Sequence, residues 1–394
     1  MTATVPGAKL ALMSKLGLFV ALVLCVPPAP TAAALQSPAA ESLEQLEAAA
    51  KADSNDAELL YRLGVAYARA GRKEEAKQTF TATVRVDPQF ALGYVALAQF
   101  YQPPVAVVVS PGRGLLVIPR RGSSDSSSLL LRRAFQINPF IEHHQPGVVE
   151  LPMYWRGTLQ QALRHYHDGK LPVALEEFGS VIERTQKPDH PEAVPPVALW
   201  YHILTAIQLQ RYDDAIRDGE IMLDAALRLD TTGTSTRAER LAGDIQYLLA
   251  NLQFAGGHTA EAERLYRLVV EGDLGWYMAH AKLAQLYESQ GRLDEAVGER
   301  RSAVDANPDD PSLVLDLGRT LVSAGRLPEA DSVLERAVVA NPRQTEALYS
   351  LGIVASRLGR SVEARAVLTR FLELAPSRYT EMIRSAKAQL AALQ

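Results

Sequence analysis

The chain has 394 residues, of which 47% are hydrophobic and 7% aromatic, a composition typical of folded proteins and not of disordered ones. Its formal net charge is −4, and lysine and arginine form no long block. This excludes the clustered positive charge that non-specific nucleic-acid binding requires. A single cysteine, Cys25, excludes a disulfide framework and a site built from several thiolates.

Residues 1–34 have the pattern of a secretory signal. Two lysines precede the apolar run 16–26, and the small residues Ala32 and Ala34 follow it. The run is shorter than the roughly 20 apolar residues that a membrane-spanning helix needs. We therefore expect a signal peptide that is cleaved after Ala34, and hence export, in a bacterium to the periplasm. The alternative is an uncleaved segment that anchors the protein to the inner membrane.

Residues 35–56 are polar and rich in Ala and Glu, so we predict a linker that leads into a short helix. From residue 57 to residue 378 the apolar residues recur at three- and four-residue spacing, in blocks separated by short turns. This pattern predicts pairs of amphipathic helices, each burying a stripe against its partner. The last segment, 379–394, is predicted to be a helix that caps the final pair.

The second helix pair is interrupted by an insertion at 103–124. Two apolar stretches within it, 105–109 and 115–118, flank a Ser-Pro-Gly-Arg-Gly turn and predict a β-hairpin. The free edge of this hairpin is a candidate for peptide binding by strand addition. The alternative is that its apolar face packs on the neighbouring helices. Residues 146–152, in the loop 141–154, are a candidate third strand.

Towards the C-terminus, four residue types recur with a period of 34 residues. A period of this length is typical of stacked supersecondary units and not of a single globular core. The glycines are expected to end the first helix of each pair with a positive φ, and the prolines to end the second helix. The recurring residues are Leu283, Leu317 and Leu351; Gly291, Gly325 and Gly359; Ala296, Ala330 and Ala364; and Pro308, Pro342 and Pro376.

Small residues in the first helices are expected to let the second helices approach closely. The chain resembles the tetratricopeptide repeat family in three features: these small residues, the glycine that ends the first helix and the proline that ends the second. The resemblance covers most of residues 57–378 and is strongest at 277–376. It implies an all-α superhelical solenoid of about eight helical hairpins, with the β-hairpin as a small insertion. The small residues are Gly64, Ala284, Gly318 and Gly352.

The resemblance implies a scaffold or assembly adaptor that binds a protein or peptide partner in a concave groove lined by the first helices, without catalysis. It places partner contacts at exposed positions of these helices, where the alternative for each residue is a solvated helix face. The mixture is polar and modestly basic, which suits a peptide or an acidic partner. The expected partner-binding residues are Arg62, Arg69, Lys282, Gln285, Asp316, Arg319, Ser350 and Arg357.

The alternative function is an enzyme or a metal-binding protein with a site in the region 103–154. His143, His144 and Glu150 carry groups that suit zinc. Adjacent histidines in a loop point in different directions, however, and no third histidine at helical spacing supports them. No phosphate-binding loop, His-Glu-x-x-His pair or Gly-x-Ser-x-Gly elbow occurs in the sequence. We therefore expect no metal, no cofactor and no catalytic residue.

Overall fold

The structure is a computed structural model. The predicted signal peptide and the candidate third strand at 146–152 lie outside the residues that it describes, as do His143, His144 and Glu150. None of the described helices is both long enough and apolar enough to cross a membrane. The described residues are 42–101, 106–110, 114–118, 124–141, 156–185, 194–229, 236–308, 310–376 and 378–393.

The described residues form eight helical hairpins and one further helix at each end, which confirms the predicted all-α solenoid of about eight hairpins. Each hairpin consists of an even-numbered first helix and the odd-numbered second helix that follows it. The helices are α1 (Leu43–Ala52), α2 (Ala57–Arg69), α3 (Lys73–Val86), α4 (Ala91–Gln99), α5 (Ser124–Ile137), α6 (Arg156–His167), α7 (Leu171–Thr185), α8 (Pro196–Gln208), α9 (Tyr212–Leu229), α10 (Thr236–Ala255), α11 (Thr259–Gly272), α12 (Tyr277–Ser289), α13 (Leu293–Ala306), α14 (Pro311–Ser323), α15 (Leu327–Ala340), α16 (Thr345–Arg357), α17 (Ser361–Leu374) and α18 (Thr380–Ala392).

The turns within the hairpins use glycine where the backbone enters the left-handed region, as predicted. The φ angle is +76° at Gly71, +74° at Gly291, +73° at Gly325 and +76° at Gly359. A side chain with a Cβ costs about 1–2 kcal/mol in this conformation, so glycine fixes where the first helix ends. The hairpin α8–α9 turns instead at Gln210, whose φ is +58°.

The two helices of a hairpin approach closely at the small residues, also as predicted. A Cβ built on Gly318 would lie 2.6 Å from Cδ2 of Leu334 on the second helix. At Gly64 the corresponding distance to Cε1 of Phe80 is also 2.6 Å. These separations are far below van der Waals contact, so the glycines let the side chains of the second helix pack on the backbone of the first.

One continuous apolar core runs through most of the array, from Phe135 in α5 to Val354 in α16. Its largest fully buried side chains include Trp200, Tyr247 and Tyr266. Each hairpin buries its apolar stripe against its neighbours along the chain, which is the arrangement of a solenoid.

Single helices cover both ends of the array. At the N-terminal end, Leu46 and Ala50 of α1 pack against Leu60 and Leu63 of α2. At the C-terminal end, α18 packs Ala386 into a cluster with residues of α16 and α17. Both helices therefore bury apolar surface that the terminal hairpins would otherwise expose.

The insertion contains two antiparallel strands, β1 (Ala106–Ser110) and β2 (Gly114–Ile118). Ala106 pairs with Ile118, and Ser110 pairs with Gly114. The helices on either side still form a hairpin, because the Ser127 hydroxyl of α5 donates a 3.1 Å hydrogen bond to the carbonyl of Ala98 in α4. The insertion thus interrupts the second hairpin without breaking the helix stack.

Candidate protein-interaction surface

The first helices of neighbouring hairpins touch one another directly. Such contacts join α6 to α8, α14 to α16, and α16 to the terminal helix α18. In a curved stack the helices lie closer together on the inner side, so these contacts are typical of a concave face lined by first helices. The eight expected partner-binding residues lie on the first helices that form this face.

The structure places these eight residues in two classes of exposure. Arg62, Arg69, Arg319 and Arg357 are exposed at the surfaces of α2, α14 and α16. The other four, Lys282, Gln285, Asp316 and Ser350, are partly buried. Only three of the eight, Lys282, Gln285 and Asp316, are brought into one interacting cluster.

Lys282 of α12 lies in a sheltered position next to Gln285. Its Nζ donates to Oε1 of Gln285 at 3.4 Å, a long hydrogen bond. Burial lowers the pKa of the Lys282 ammonium, and the positive charge of Arg300 lowers it further, while Asp316 acts in the opposite direction. The charge of this lysine is therefore only partly balanced by its surroundings.

Arg300 is the centre of the cluster and comes from the second helix α13. Its Nε lies 3.2 Å from Oε1 of Glu288 on α12, and its Nη1 lies 3.3 Å from Oδ2 of Asp316 on α14. The Thr320 hydroxyl of α14 donates a further hydrogen bond to Glu288. One guanidinium thus links two neighbouring first helices, and the cluster contains two cations and two anions.

Sequence reasoning missed Arg300 because the resemblance directs attention to first helices. The signal lies in the 34-residue period, since Arg300 stands where the other hairpins have Phe80, Leu334 and Leu368. Those three side chains are buried apolar residues. A charged residue at a core position predicts a polar partner nearby, and the structure shows Glu288 and Asp316.

Arg319 and Arg357 are exposed charged residues of this face, as is Arg69, which also has no ion pair among the described residues. Within the described part of the chain, neither the Arg319 nor the Arg357 guanidinium forms an ion pair. Most arginines of the second helices and turns are paired, for example Arg264 with Glu261 at 2.5 Å. The exposed surfaces of α14 and α16 therefore each carry an unneutralised positive charge.

Among the residues that the structure describes, no three His, Cys, Asp or Glu side chains are grouped in a way that suits a metal ion. The candidate zinc ligands in the loop 141–154 are outside that part of the chain. Three of the described histidines pair with carboxylates instead: His165 with Glu177 at 2.8 Å, His280 with Glu299 at 2.7 Å, and His202 with Asp218. These pairs join the two helices of one hairpin.

The model of the tetratricopeptide repeat family matches the chain at three segments, residues 36–89, 247–311 and 315–379. Taken with the stacked hairpins, these matches show that the chain carries tetratricopeptide repeats in these segments. Members of this family bind peptides or proteins, and the fold typically serves as a non-enzymatic interaction scaffold. No curated protein sequence matches the chain.

Three solved structures illustrate the similarity. The C-terminal part of a TPR repeat-containing protein from Cytophaga hutchinsonii is 13% identical, with a TM-score of 0.46, and the match covers 60% of this chain and 92% of that one. YrrB, a TPR protein with an unusual peptide-binding site, is 16% identical over 54% of this chain and 99% of its own, with a TM-score of 0.37. A thermophilic TPR protein from Thermus thermophilus is 20% identical over 48% of this chain and 95% of its own, with a TM-score of 0.33.

Proposed function

We propose that this protein is an exported scaffold or assembly adaptor that captures a protein or peptide partner on the face formed by its first helices. The observation that carries the proposal is the pair of exposed arginines Arg319 and Arg357 on adjacent first helices, neither of which has an ion-pair partner among the described residues. Leaving such charges free in the unbound protein costs little, and they gain charge-assisted hydrogen bonds when a partner supplies carboxylates.

The charge of the surrounding face favours an acidic partner segment. In the neighbouring cluster, Arg300 is neutralised by Glu288 and Asp316. Lys282, Arg319 and Arg357 are left as positive groups. An acidic peptide lying across α12, α14 and α16 would meet Lys282, Arg319 and Arg357 in turn, whereas a basic peptide would meet unfavourable charge.

Export rests on the N-terminal sequence pattern. If residues 1–34 act as a cleaved signal, the protein recovered from the cell envelope begins at Leu35. N-terminal sequencing of that protein measures this directly. A start upstream of residue 20 would instead support a retained anchor.

The partner-binding surface is tested by reversing the two free charges. We expect the double variant Arg319→Glu, Arg357→Glu to lose most of the partner captured by the wild-type protein in a pull-down from the native envelope, because carboxylates would then face carboxylates. The helix content and the unfolding transition should stay those of the wild type, since both side chains are exposed.

A matched control is available in the same two hairpins. Arg336 of α15 and Arg365 of α17 are also exposed but lie on second helices. The variant Arg336→Glu, Arg365→Glu makes the same change in net charge and should capture the partner as the wild type does. Equal capture by all three proteins, or loss only in the second-helix variant, would refute the proposed surface.

A further inference from the structure

The two ends of the array contact each other along one edge. Asp56 pairs with Arg378, Arg133 with Asp310, and Arg132 with Asp273. Asp56, near the start of the array, contacts position 378, whereas Arg132 and Arg133 of α5 contact positions 273 and 310. The array is therefore folded back on itself in an antiparallel sense. We call helices α1–α5 the N-terminal arm, helices α10–α18 the C-terminal arm, and the edge where they meet the seam.

At one end of the seam the contacts are apolar and buried. The rings of Phe135 and Tyr247, both fully buried, pack edge to face with centroids 6.0 Å apart. The Tyr247 hydroxyl also donates a 2.7 Å hydrogen bond to the carbonyl of Gln136. The guanidinium of Arg132 lies over the ring of Trp276, 5.4 Å from its centroid. Helix α5 is therefore held firmly by the C-terminal arm.

Further along the seam the contacts are ionic. Arg133 pairs with Asp310, whose side chain is only 3% exposed, and its guanidinium also lies 4.3 Å from the ring centroid of Tyr277. At the far end, Arg378 pairs with Asp56, and these side chains are 38% and 19% exposed. The pair Arg133–Asp310 is thus more buried than the pairs Arg378–Asp56 and Arg132–Asp273.

The two aspartates occupy the same position of the repeat. Each is the N-cap of a first helix: Oδ1 of Asp56 accepts from the amides of Glu58 and Leu59, and Oδ1 of Asp310 accepts from the amide of Ser312. The equivalent residues of the neighbouring hairpins are not acidic; they are Phe90, Trp276 and Gln344. The repeats that carry aspartate at this position are the ones that receive an arginine across the seam.

Between the two ends the seam is loosely packed. An open cleft of about 460 Å³ lies between Val84, Pro88 and Tyr94 of the N-terminal arm and Asn307, Pro311 and Asn341 of the C-terminal arm. This part of the interface therefore contributes little apolar burial to hold the arms together.

Like charges also meet across the seam. Asp87 of the N-terminal arm lies near Glu346 and Asp310 of the C-terminal arm, and its pKa is raised by burial first and then by these two carboxylates. Arg378 offsets part of this repulsion. Attractive and repulsive charges are thus concentrated at one interface, and salt weakens chiefly its more exposed pair, Arg378–Asp56.

We propose that the seam is a salt-sensitive latch. The apolar contacts around Phe135 and Tyr247 form a pivot, and the ion pairs Arg133–Asp310 and Arg378–Asp56 hold the rest of the N-terminal arm against the C-terminal arm. When these pairs are lost, the arm swings away about α5. In both pairs the aspartate caps a first helix. The state of the latch therefore sets the distance between the first-helix faces of the two arms.

The latch is tested by small-angle X-ray scattering of the full chain at low and high ionic strength. The variant Asp56→Asn, Asp310→Asn removes both negative charges while keeping side chains that cap helices as well as aspartate does. We expect the radius of gyration of the wild type to increase from low to high ionic strength. The variant should already have, at low ionic strength, a radius of gyration at least as large as that of the wild type at high ionic strength. Circular dichroism should show unchanged helix content.

The same chemical change at Asp87 is the matched control. Asp87→Asn keeps the acceptor for the amide of Gln89 but removes a charge that opposes closure, so the array should stay closed. If the cap variant loses helix, the variant Arg133→Gln, Arg378→Gln tests the same pairs from the other side. A radius of gyration that is the same for all variants at both ionic strengths would overturn the proposal, as would opening caused by Asp87→Asn.

Discussion

At the scale of single residues, the close approach of two helices depends on glycines, which have no side chain. Gly318 and Gly352 lie directly against Leu334 and Leu368, and a Cβ at either position would lie 2.6 Å from a leucine methyl group. The leucines are fully buried. A glycine inside a helix costs roughly 1 kcal/mol relative to alanine. These glycines therefore lower the stability of the helix itself but allow tight packing between the two helices.

We therefore expect Gly318→Ala to destabilise the protein, even though alanine is the better helix former. The added methyl group must displace Leu334, and overpacking of a core typically costs about 1–3 kcal/mol. Urea denaturation followed by circular dichroism measures the change.

The control is Gly298→Ala in α13, where a Cβ would meet no atom within 4 Å. That substitution should stabilise the protein by roughly 0.5–1 kcal/mol, because only helix propensity and chain entropy change. A Gly318→Ala variant that is as stable as Gly298→Ala would show that the interhelical contact is more easily adjusted than the structure implies.

At the scale of the element, the hairpin α12–α13 has different residues at the two positions where its helices pack together. It has Ala284 where the two hairpins that follow have Gly318 and Gly352, and Arg300 where they have Leu334 and Leu368. A leucine at position 300 in the neighbours' geometry would collide with the Cβ of Ala284. Ala284 therefore excludes a leucine placed as in those two hairpins, whereas the preceding hairpin has Ala250 and the buried Tyr266 at the same two positions.

This predicts that the two positions are energetically coupled. Arg300→Leu alone should be destabilising, because it leaves Glu288 and Asp316 without their cation and presses on Ala284. Adding Ala284→Gly should recover about 1–2 kcal/mol by making room for the leucine, although glycine alone lowers helix stability. The measurement is a double-mutant cycle of unfolding free energies. Additive effects would contradict the coupling.

Much of each hairpin could be predicted from the sequence because the determinants are local. The apolar periodicity, the glycine at the turn and the small residue opposite the second helix act within about 30 residues of one another, as at Gly64, Gly71 and Phe80. The role of Arg300 was missed although it stands in the repeat register, since a pattern of first helices does not show which second-helix side chain reaches across to them.

The fold-back of the array could not be predicted from the sequence. The pair Asp56–Arg378 joins residues that are 322 positions apart. Whether they meet depends on the small rotation between each pair of neighbouring hairpins, accumulated over the whole stack. No local sequence pattern predicts this accumulated rotation. The aspartates at two equivalent N-cap positions are related to the fold-back, but this is recognised only once the structure is known.

At the scale of the whole molecule, the array is a repeat protein in which each hairpin contacts mainly its neighbours, with the seam as an added long-range interface. This organisation supplies an extended surface in place of an enclosed pocket. A large surface on rigid helices suits the recognition of another protein or an extended peptide, and we propose that Arg319 and Arg357 direct that recognition to α14 and α16.

Hydrogen–deuterium exchange of the full chain, alone and with the partner recovered by pull-down, tests this account most directly. A partner bound to the first helices should stabilise them against local opening and slow amide exchange there. We predict added protection concentrated in α12, α14 and α16, with the second helices α13, α15 and α17 little changed. Protection confined to those second helices, or to the strands β1 and β2, would contradict the account.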